Sequence, residues 1–293
     1  MPHMLKTVLA GVLAPEEAAQ LYSAFDQVGD IVIIKVPDGL ADKKKLIAEA
    51  ILANVKTARA VFAQASAVRG DFRVRDLEHL AGENRTVTEY REHGCRFKVD
   101  VARAYFSPRL STERQRIADL TQEGDVVVNM FAGVGTYSII IAKKVRTARV
   151  YSIDSNPVAN ELCIENARLN KVQDRVVPIC GDASAVIAGQ LGGVADRVLM
   201  PLPERAKEFI EPAVLALKET GGTVHYFAHV KADGKKEARA SGEQDAHDAF
   251  RKYDHGVNAV TVVREVGPRI YQIVADVQVA AVKKAPALPV WAP

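Results

Sequence analysis

The chain has 293 residues, of which 48% are hydrophobic and 26% charged, with a formal net charge of +3. That length and balance describe a globular protein of two or three compact units, able to bury a sizeable core. No apolar run reaches the roughly 20 residues that a bilayer crossing needs, and Met1-Pro2-His3-Met4-Leu5-Lys6 lacks a basic segment leading into an apolar block, so neither a transmembrane helix nor a signal peptide is expected.

In chain order, residues 14–68 pattern as a small α/β unit. Pro15-Glu16-Glu17 opens a helix, because proline and acids suit a first turn. Residues 29–36 read as a buried strand, 43–53 have helical periodicity, and 57–62 form a second strand. Between 71 and 101, strand-like pieces at 72–74, 86–90 and 95–101 alternate with turns at 82–84 and 93–94. This connecting antiparallel region carries a basic run, from Arg69, Arg73, Arg75, Arg85, Arg91, Arg96 and Lys98 on to Arg103, Arg109, Arg114 and Arg116. Such a run suits a phosphate-rich partner. A helix is expected over 111–120 with Ser111 as its N-cap and Arg114 within reach of the crevice discussed below. A βαβ body follows from 125 to 217, Gly221-Gly222 turns into a strand at 223–227, and 232–253 pattern as a polar helix. Residues 257–266 and 269–279 resemble the closing antiparallel strands of a seven-stranded sheet, and the prolines after Lys283 mark a loose tail. Cys95, Cys163 and Cys180 are odd in number and widely spaced, as expected of buried free thiols in a reducing cytosol.

The chemistry lies at strand ends. Val126-Val127-Val128-Asn129-Met130-Phe131-Ala132-Gly133-Val134-Gly135 is a β-branched run closing in a Gly-x-Gly turn, with a helical pattern directly after it. Gly133 and Gly135 remove Cβ atoms where a nucleotide-like ligand presses on the backbone. Three later apolar runs end at Asp154, at Gly181-Asp182 and at Met200-Pro201-Leu202-Pro203. In an open parallel sheet all four ends converge on one crevice. Asp154 is placed to accept ribose hydroxyls or to cap the helix that Pro157 opens. Asp182 is placed to meet an adenine edge or to cap the next helix. Pro201 and Pro203 lack N–H donors, which leaves carbonyl oxygens for an exocyclic amine or simply makes a rigid exit before a helix over 204–217. The set fits an NAD site or an S-adenosylmethionine site. Ser138 stands where the dinucleotide fingerprint wants its third small residue. No second nucleotide half is visible, which favours S-adenosylmethionine.

Several phrases, taken in order over residues 25–280, resemble the archaeal and eukaryotic tRNA guanosine-37 N1-methyltransferase family. They are Gly70-Asp71-Phe72-Arg73, Leu80-Ala81-Gly82-Glu83, Val99-Asp100-Val101-Ala102, Tyr105-Phe106-Ser107-Pro108-Arg109-Leu110 and Glu113-Arg114. Met130-Phe131-Ala132-Gly133-Val134-Gly135, Asp154-Ser155-Asn156-Pro157, Met200-Pro201-Leu202-Pro203 and His225-Tyr226 continue the match. The related tRNA wybutosine aminocarboxypropyl transferases share the scaffold. The resemblance implies an α/β fold, a Rossmann-like class I methyltransferase sheet with a smaller N-terminal α/β domain. It divides the chain into 1–68, a basic connecting region 69–110, a catalytic domain 111–282 and a tail 283–293. It implies a cytoplasmic, monomeric enzyme that uses S-adenosyl-L-methionine, binds the anticodon stem-loop of tRNA and does not act at a membrane.

The same resemblance implies that Glu113 removes the guanine N1 proton while Arg73 holds negative charge on O6, a sensible division between a carboxylate and a guanidinium. The plainer alternatives are a surface ion pair of Glu113 with Arg116 or Arg114, and a tRNA phosphate contact for Arg73. Tyr105, Arg109, Arg114, Phe131, Gly133, Gly135, Asp154, Ser155, Asp182 and Ala183 would line the cofactor, and Pro201, Leu202 and Pro203 the target base. Two departures stand out: Pro201 replaces the family's usual asparagine, and Asn129 its common aspartate. The first raises the expectation that a tricyclic wyosine precursor is methylated as well as guanosine. The stretch before residue 20 is too short for a separate tRNA-elbow domain, so weak dependence on the tRNA outer corner is expected. The rival readings are an aminocarboxypropyl transferase and a non-catalytic RNA-binding protein.

Overall fold

The computed structural model describes residues 9, 11–21, 25–65 and 76–281. The strand piece at 72–74, Arg69, Arg73 and Arg75, and the tail 283–293 lie outside them. The chain forms two compact units, Met1–Ser111 and Thr112–Pro293.

In the first unit, β1 (Asp26–Val28), β2 (Ile31–Ile34), β3 (Ala60–Gln64) and β4 (Leu77–Gly82) make a sheet in that order. Only β2 and β3 run parallel, which requires a crossover, and α2 (Lys44–Asn54) supplies it. Val32, Ile34, Ile47, Ile51 and Val61 build the core beneath that helix. The short α1 (Pro15–Gln20) opens as expected, with the Glu17 carboxylate accepting the Ala14 N–H at 3.0 Å. The strand expected over 29–36 is β2, shorter at both ends, because the chain turns from β1 at Gly29, whose φ is +57° and where a Cβ would stand 2.3 Å from the Glu89 carbonyl oxygen. Strand β4, Leu-Glu-His-Leu-Ala-Gly, contains no β-branched residue and gives no strand signal. It forms because β3 offers an unpaired edge, against which Phe62 faces His79 and Gln64 faces Leu77. A separate hairpin joins β5 (Val87–Glu92) to β6 (Cys95–Asp100) through His93-Gly94, both at positive φ, the geometry a two-residue hairpin turn requires.

Much of the basic run is paired inside the protein. Arg85 chelates Asp30, Glu89 takes both Arg91 and Arg96, and Arg109 pairs with Asp26 at 2.8 Å. The helix α3 (Ser111–Leu120) has the expected bounds, but Ser111 is not its N-cap. A 3-10 turn, Pro108–Leu110, runs straight into it, leaving Ser111 with a helical φ of −55° and its hydroxyl on His93 Nε2 at 2.9 Å.

The second unit holds a seven-stranded sheet. Its strands are β7 (Val126–Asn129), β8 (Arg149–Asp154), β9 (Val176–Cys180), β10 (Arg197–Met200), β11 (Gly222–Lys231), β12 (His255–Gly267) and β13 (Ile270–Val279), in the order β12-β13-β11-β10-β7-β8-β9. β13 is antiparallel to both neighbours and the other pairings are parallel. The crossovers use α4 (Thr136–Lys144), α5 (Pro157–Leu169), the short α6 (Ala183–Val186), α7 (Ile210–Ala216) and α8 (Lys235–Phe250). The helix expected from 204 starts later, because Ala206–Phe209 is a 3-10 turn. Val198, Met200, Val224, Tyr226 and Ala275 pack with Ala213, Val214, Ala246 and Phe250 in one core cluster. The residues alternating with them face the other way, where Phe227 meets Tyr137 of α4 edge-on at 6.0 Å. The chain runs outward from β7 through β8 to β9, then returns to lay β10 beside β7. That reversal opens a crevice between the loops after β7 and β10.

Cys95 and Cys163 are buried free thiols, but Cys180 is exposed, because it ends the edge strand β9. Among the described residues, no helix is long and apolar enough to cross a membrane.

Candidate active site

The glycine loop is laced to the strands on both sides of it. Met130 N–H donates to the Leu199 carbonyl at 3.0 Å and Ala132 N–H to that of Ile153 at 2.8 Å. Gly133 has a φ of +55° and Gly135 a φ of +87°, and Gly135 directly precedes α4. A Cβ on Gly135 would lie 2.6 Å from Cys163 Sγ and 3.1 Å from Ile139 Cδ1. Gly135→Ala should therefore lower unfolding stability by about 1–3 kcal/mol through the left-handed backbone alone, with the Cys163 collision adding to it. Urea titration of both proteins checks this, and equal midpoints would contradict it.

Asp154 braces the same loop. Its Oδ2 accepts Gly133 N–H at 2.6 Å and its Oδ1 accepts Asn156 N–H at 2.9 Å. Burial raises its pKa, against the pull of those two backbone donors. It does not cap α5; Asn156 does so, accepting Val158 N–H at 3.0 Å. Each carboxylate oxygen keeps a second lone pair, so Asp154 can still accept a hydroxyl from a ligand. Ser155 beside it is exposed. Asp182 is exposed and caps α6, its Oδ1 accepting Ala185 N–H at 2.9 Å, and Ala183 behind it is buried.

Phe131 is half-buried and packs edge-on against Phe209 at 4.9 Å. Pro201, Leu202 and Pro203 are half-buried after β10. Two of their loop's carbonyls are already used, since Met200 accepts from Leu202 N–H at 2.8 Å and Leu202 from Arg205 N–H at 3.1 Å. This narrows the carbonyl acceptors expected there. Asn129 is fully buried at the end of β7, with its Nδ2 on Ser138 Oγ at 3.1 Å. Its Oδ1 has no hydrogen-bond partner among the described residues. A buried acceptor without a donor is costly unless a ligand supplies one. Glycine backbone, a carboxylate and that acceptor together suit a ligand with vicinal hydroxyls and an ammonium.

Glu113 lies on α3 and is not the surface acid of the plainer alternative, being only 3% exposed. Its pairing with Arg116 is as that alternative had it: Nε donates to Oε2 at 2.9 Å and Nη2 to Oε1 at 2.7 Å. Burial raises its pKa, Arg116 opposes the shift, and the charge of Asp276 adds to it. Arg116 also grips Asp276, with Nη1 on Oδ2 at 2.6 Å and Nη2 on Oδ1 at 3.1 Å. Asp276 in turn meets His225 Nδ1 at 2.6 Å, and His225 Nε2 meets Arg197 Nη1 at 2.7 Å. Arg114 is buried. In the first unit, Tyr105 is half-buried and Arg109 is exposed on its Asp26 partner, while Arg73 lies outside the described residues.

Sequence reasoning named His225 only within a resembling phrase and missed Asp276. The available signal was a charged residue inside the otherwise apolar run Ile273-Val274-Ala275-Asp276-Val277, since a buried charge needs a partner.

Residues 88–248 match the TRM5/TYW2 methyltransferase domain and residues 5–86 the TYW2 N-terminal domain. The tRNA (guanine(37)-N(1))-methyltransferase Trm5b of Pyrococcus abyssi is 39% identical over 272 residues, covering 92% of this chain and 79% of that protein. The tRNA 4-demethylwyosine(37)-methyltransferase Taw21 of Saccharolobus solfataricus is 35% identical over 264 residues, covering 90% and 96%. Among solved structures, the complex of aTrm5 and tRNALeu superposes with a TM-score of 0.81 at 36% identity, over 94% of this chain and 77% of that one. Methanocaldococcus jannaschii Trm5 in complex with adenosine gives 0.77 at 34% identity, over 94% and 78%. With matches of that extent in both sequence and structure, this chain belongs to the TRM5/TYW2 methyltransferase family.

Proposed function

We propose that this protein is an S-adenosylmethionine-dependent tRNA methyltransferase that modifies N1 of guanosine 37. The observation that carries the reading is Glu113, a buried carboxylate with raised proton affinity, chelated in place by Arg116. Guanine N1 carries a weakly acidic proton, so its methylation needs such an acceptor. An aminocarboxypropyl transferase fits less well, since the Trm5b relatives share more identity over more of the chain.

When bound, S-adenosylmethionine supplies a methyl group on a sulfonium, already a good leaving group. The residues present fit it: the glycine turn at Gly133 and Gly135 leaves backbone after β7 for the ligand to lie against, Asp154 can accept ribose hydroxyls, and Asn129 Oδ1 can accept from the ammonium of the methionine portion. The space left by the missing Cβ of Gly135 is taken up by Cys163 and not by the ligand. Arg114, buried on α3, is proposed to meet the methionine carboxylate. Glu113 takes the N1 proton on a remaining lone pair of a carboxylate oxygen while Arg116, donating to both oxygens, holds the carboxylate in line. Arg73 is proposed to stabilise the charge that develops on O6. Orientation contributes much of the remaining acceleration. The anticodon stem-loop as the docking element, a monomeric state and a cytoplasmic location belong to the same proposal.

The test is incubation of unmodified tRNA with cofactor, followed by nucleoside analysis by mass spectrometry. One methyl on guanosine 37 supports the reading, a four-carbon amino acid adduct assigns the protein to the other branch, and no product contradicts both.

A second reading has its own support. Pro201 carries no side-chain amide where the family usually has one, and a relative covered over 96% of its length is a 4-demethylwyosine(37)-methyltransferase. A rigid apolar surface at Pro201-Leu202-Pro203 suits a wider, less polar base than guanine. Pro201→Asn should then shift the ratio of guanosine to 4-demethylwyosine methylation towards guanosine by roughly tenfold, the worth of one hydrogen bond at a buried base. Competition between the two tRNA substrates measures it, and an unchanged ratio removes Pro201 from substrate selection.

A further inference from the structure

Six side chains in the second unit form one connected hydrogen-bonded line: Glu113, Arg116, Asp276, His225, Arg197 and Asp125. They come from α3, from the start of β7 and from three neighbouring strands, and the residues at the middle are nearly or wholly sealed from solvent. The proton positions follow from donor chemistry. A guanidinium can only donate. Arg197 Nη1 therefore makes His225 Nε2 an acceptor, and the ring proton sits on Nδ1, pointing at Asp276 Oδ1. His225 is thus neutral, and burial together with the nearby guanidiniums of Arg197 and Arg116 keeps it so, against the attraction of Asp276. Arg197 is also committed elsewhere, to the Leu120 carbonyl at 2.8 Å and to Asp125.

The consequence falls on Arg116. Its Nε, Nη1 and Nη2 all serve two carboxylates at once. One positive charge is divided between Glu113 and Asp276, and neutral His225 adds none. Burial alone would raise both acids. The hydrogen bonds of His225 and Arg116 hold Asp276 well below the usual carboxylate range, whereas Glu113 stays above it. Two carboxylates whose surroundings separate them in this way have divided roles: one stays charged, the other is the site at which a proton lands.

We infer that Asp276 is a positioning residue for the reaction: by sharing the Arg116 guanidinium, it fixes the Glu113 carboxylate in one orientation while leaving it incompletely neutralised, and so basic. This rests on Glu113 being the proton acceptor. The charged or titratable groups that bear on Glu113 in the second unit are Arg116 on its own helix and Asp276 on β13, with His225 on β11 and Arg197 on β10 behind them.

The experiment is single-turnover methyl transfer to unmodified tRNA across pH, with cofactor affinity measured by titration calorimetry on the same full-length proteins. The rate should climb with pH as Glu113 loses its proton. In Asp276→Asn, Arg116 serves Glu113 alone, so that climb should move to lower pH by about half a unit or more. The plateau should fall by up to about threefold with the weaker base, while cofactor Kd stays within about twofold. Asp276→Glu keeps the charge and should keep the climb where the unaltered protein has it. A climb that does not move in Asp276→Asn, or a loss confined to KM and cofactor affinity, gives Asp276 a merely structural role and overturns the inference. If Asp276→Asn does not fold, Arg116→Lys is read instead. A lysine is a point charge without the fork needed for two carboxylates, so an unmoved climb there is equally fatal. Glu113→Gln separates the levels. If it retains its rate, the base assignment and this inference fall together; if it is slow and Asp276→Asn is unmoved, only this inference fails.

Discussion

Glu113→Gln is expected to slow single-turnover methyl transfer by about 10²- to 10⁴-fold, the usual contribution of a positioned general base. Cofactor affinity should stay within about twofold, because glutamine keeps the shape and one acceptor oxygen. The second half of the expectation is what makes it specific. Glu113 is 3% exposed and receives two of the Arg116 donors, so a skeptic can read it as a structural ion pair. Breaking a buried pair by removing one charge destabilises by several kcal/mol in other proteins, about 3–5 in measured cases. Here Arg116 keeps Asp276 at 2.6 Å after the substitution, so the guanidinium is not left without a counter-charge. The variant should therefore remain folded, and a rate loss in a folded protein that still binds cofactor isolates the proton transfer. Equal falls in rate and in cofactor affinity would return Glu113 to the role of a structural acid.

The second large effect is expected at Asp154. Its two oxygens hold Gly133 N–H at 2.6 Å and Asn156 N–H at 2.9 Å, tying the glycine loop after β7 to the start of α5. Asp154→Ala removes both acceptors and the group proposed to take the ribose hydroxyls. Hydrogen bonds to a charged group contribute about 1.5–3 kcal/mol each, so losing the ligand contact alone should weaken cofactor binding by about 10- to 100-fold. Asp154→Asn keeps one acceptor and should fall between the variant and the unaltered protein. Titration calorimetry with S-adenosylmethionine decides the matter. Unchanged affinity in Asp154→Ala would mean that the carboxylate only braces the loop, and that the ribose is held elsewhere.

How much of this site could be read from the residues differs from one position to the next, for physical reasons. The Gly133-Val134-Gly135 loop was legible because its signal is local: a β-branched run, two positions that tolerate positive φ, then a helical period. The expected strands at 257–266 and 269–279 likewise match β12 and β13 closely, since each carries its own pattern. Asp154 and Asp182 had two roles each, and local chemistry could not choose between them. The structure answers only the capping half, through neighbours: Asn156 caps the helix beside Asp154, whereas Asp182 caps its own. Ser111 was misplaced as a cap because the 3-10 turn ahead of it is built by Pro108 and its neighbours, outside any helical period. Strand β4 was invisible for the opposite reason: its residues have no β preference, and only the open edge of β3 makes them a strand.

Period and turn chemistry therefore carried the class of fold, the order of its elements and the strand ends at which a ligand is proposed to sit, because each depends on side chains within a few positions of one another. The partnership of Glu113, Arg116, His225 and Asp276 does not. Its outer members stand far apart along the chain, and they meet only because β13 inserts antiparallel beside β11, setting His225 opposite Asp276 in register beneath α3. Which acid stays charged and which can accept a proton follows from that burial and that sharing of one guanidinium. Desolvation and hydrogen bonding act through space, and they are set once the sheet has formed.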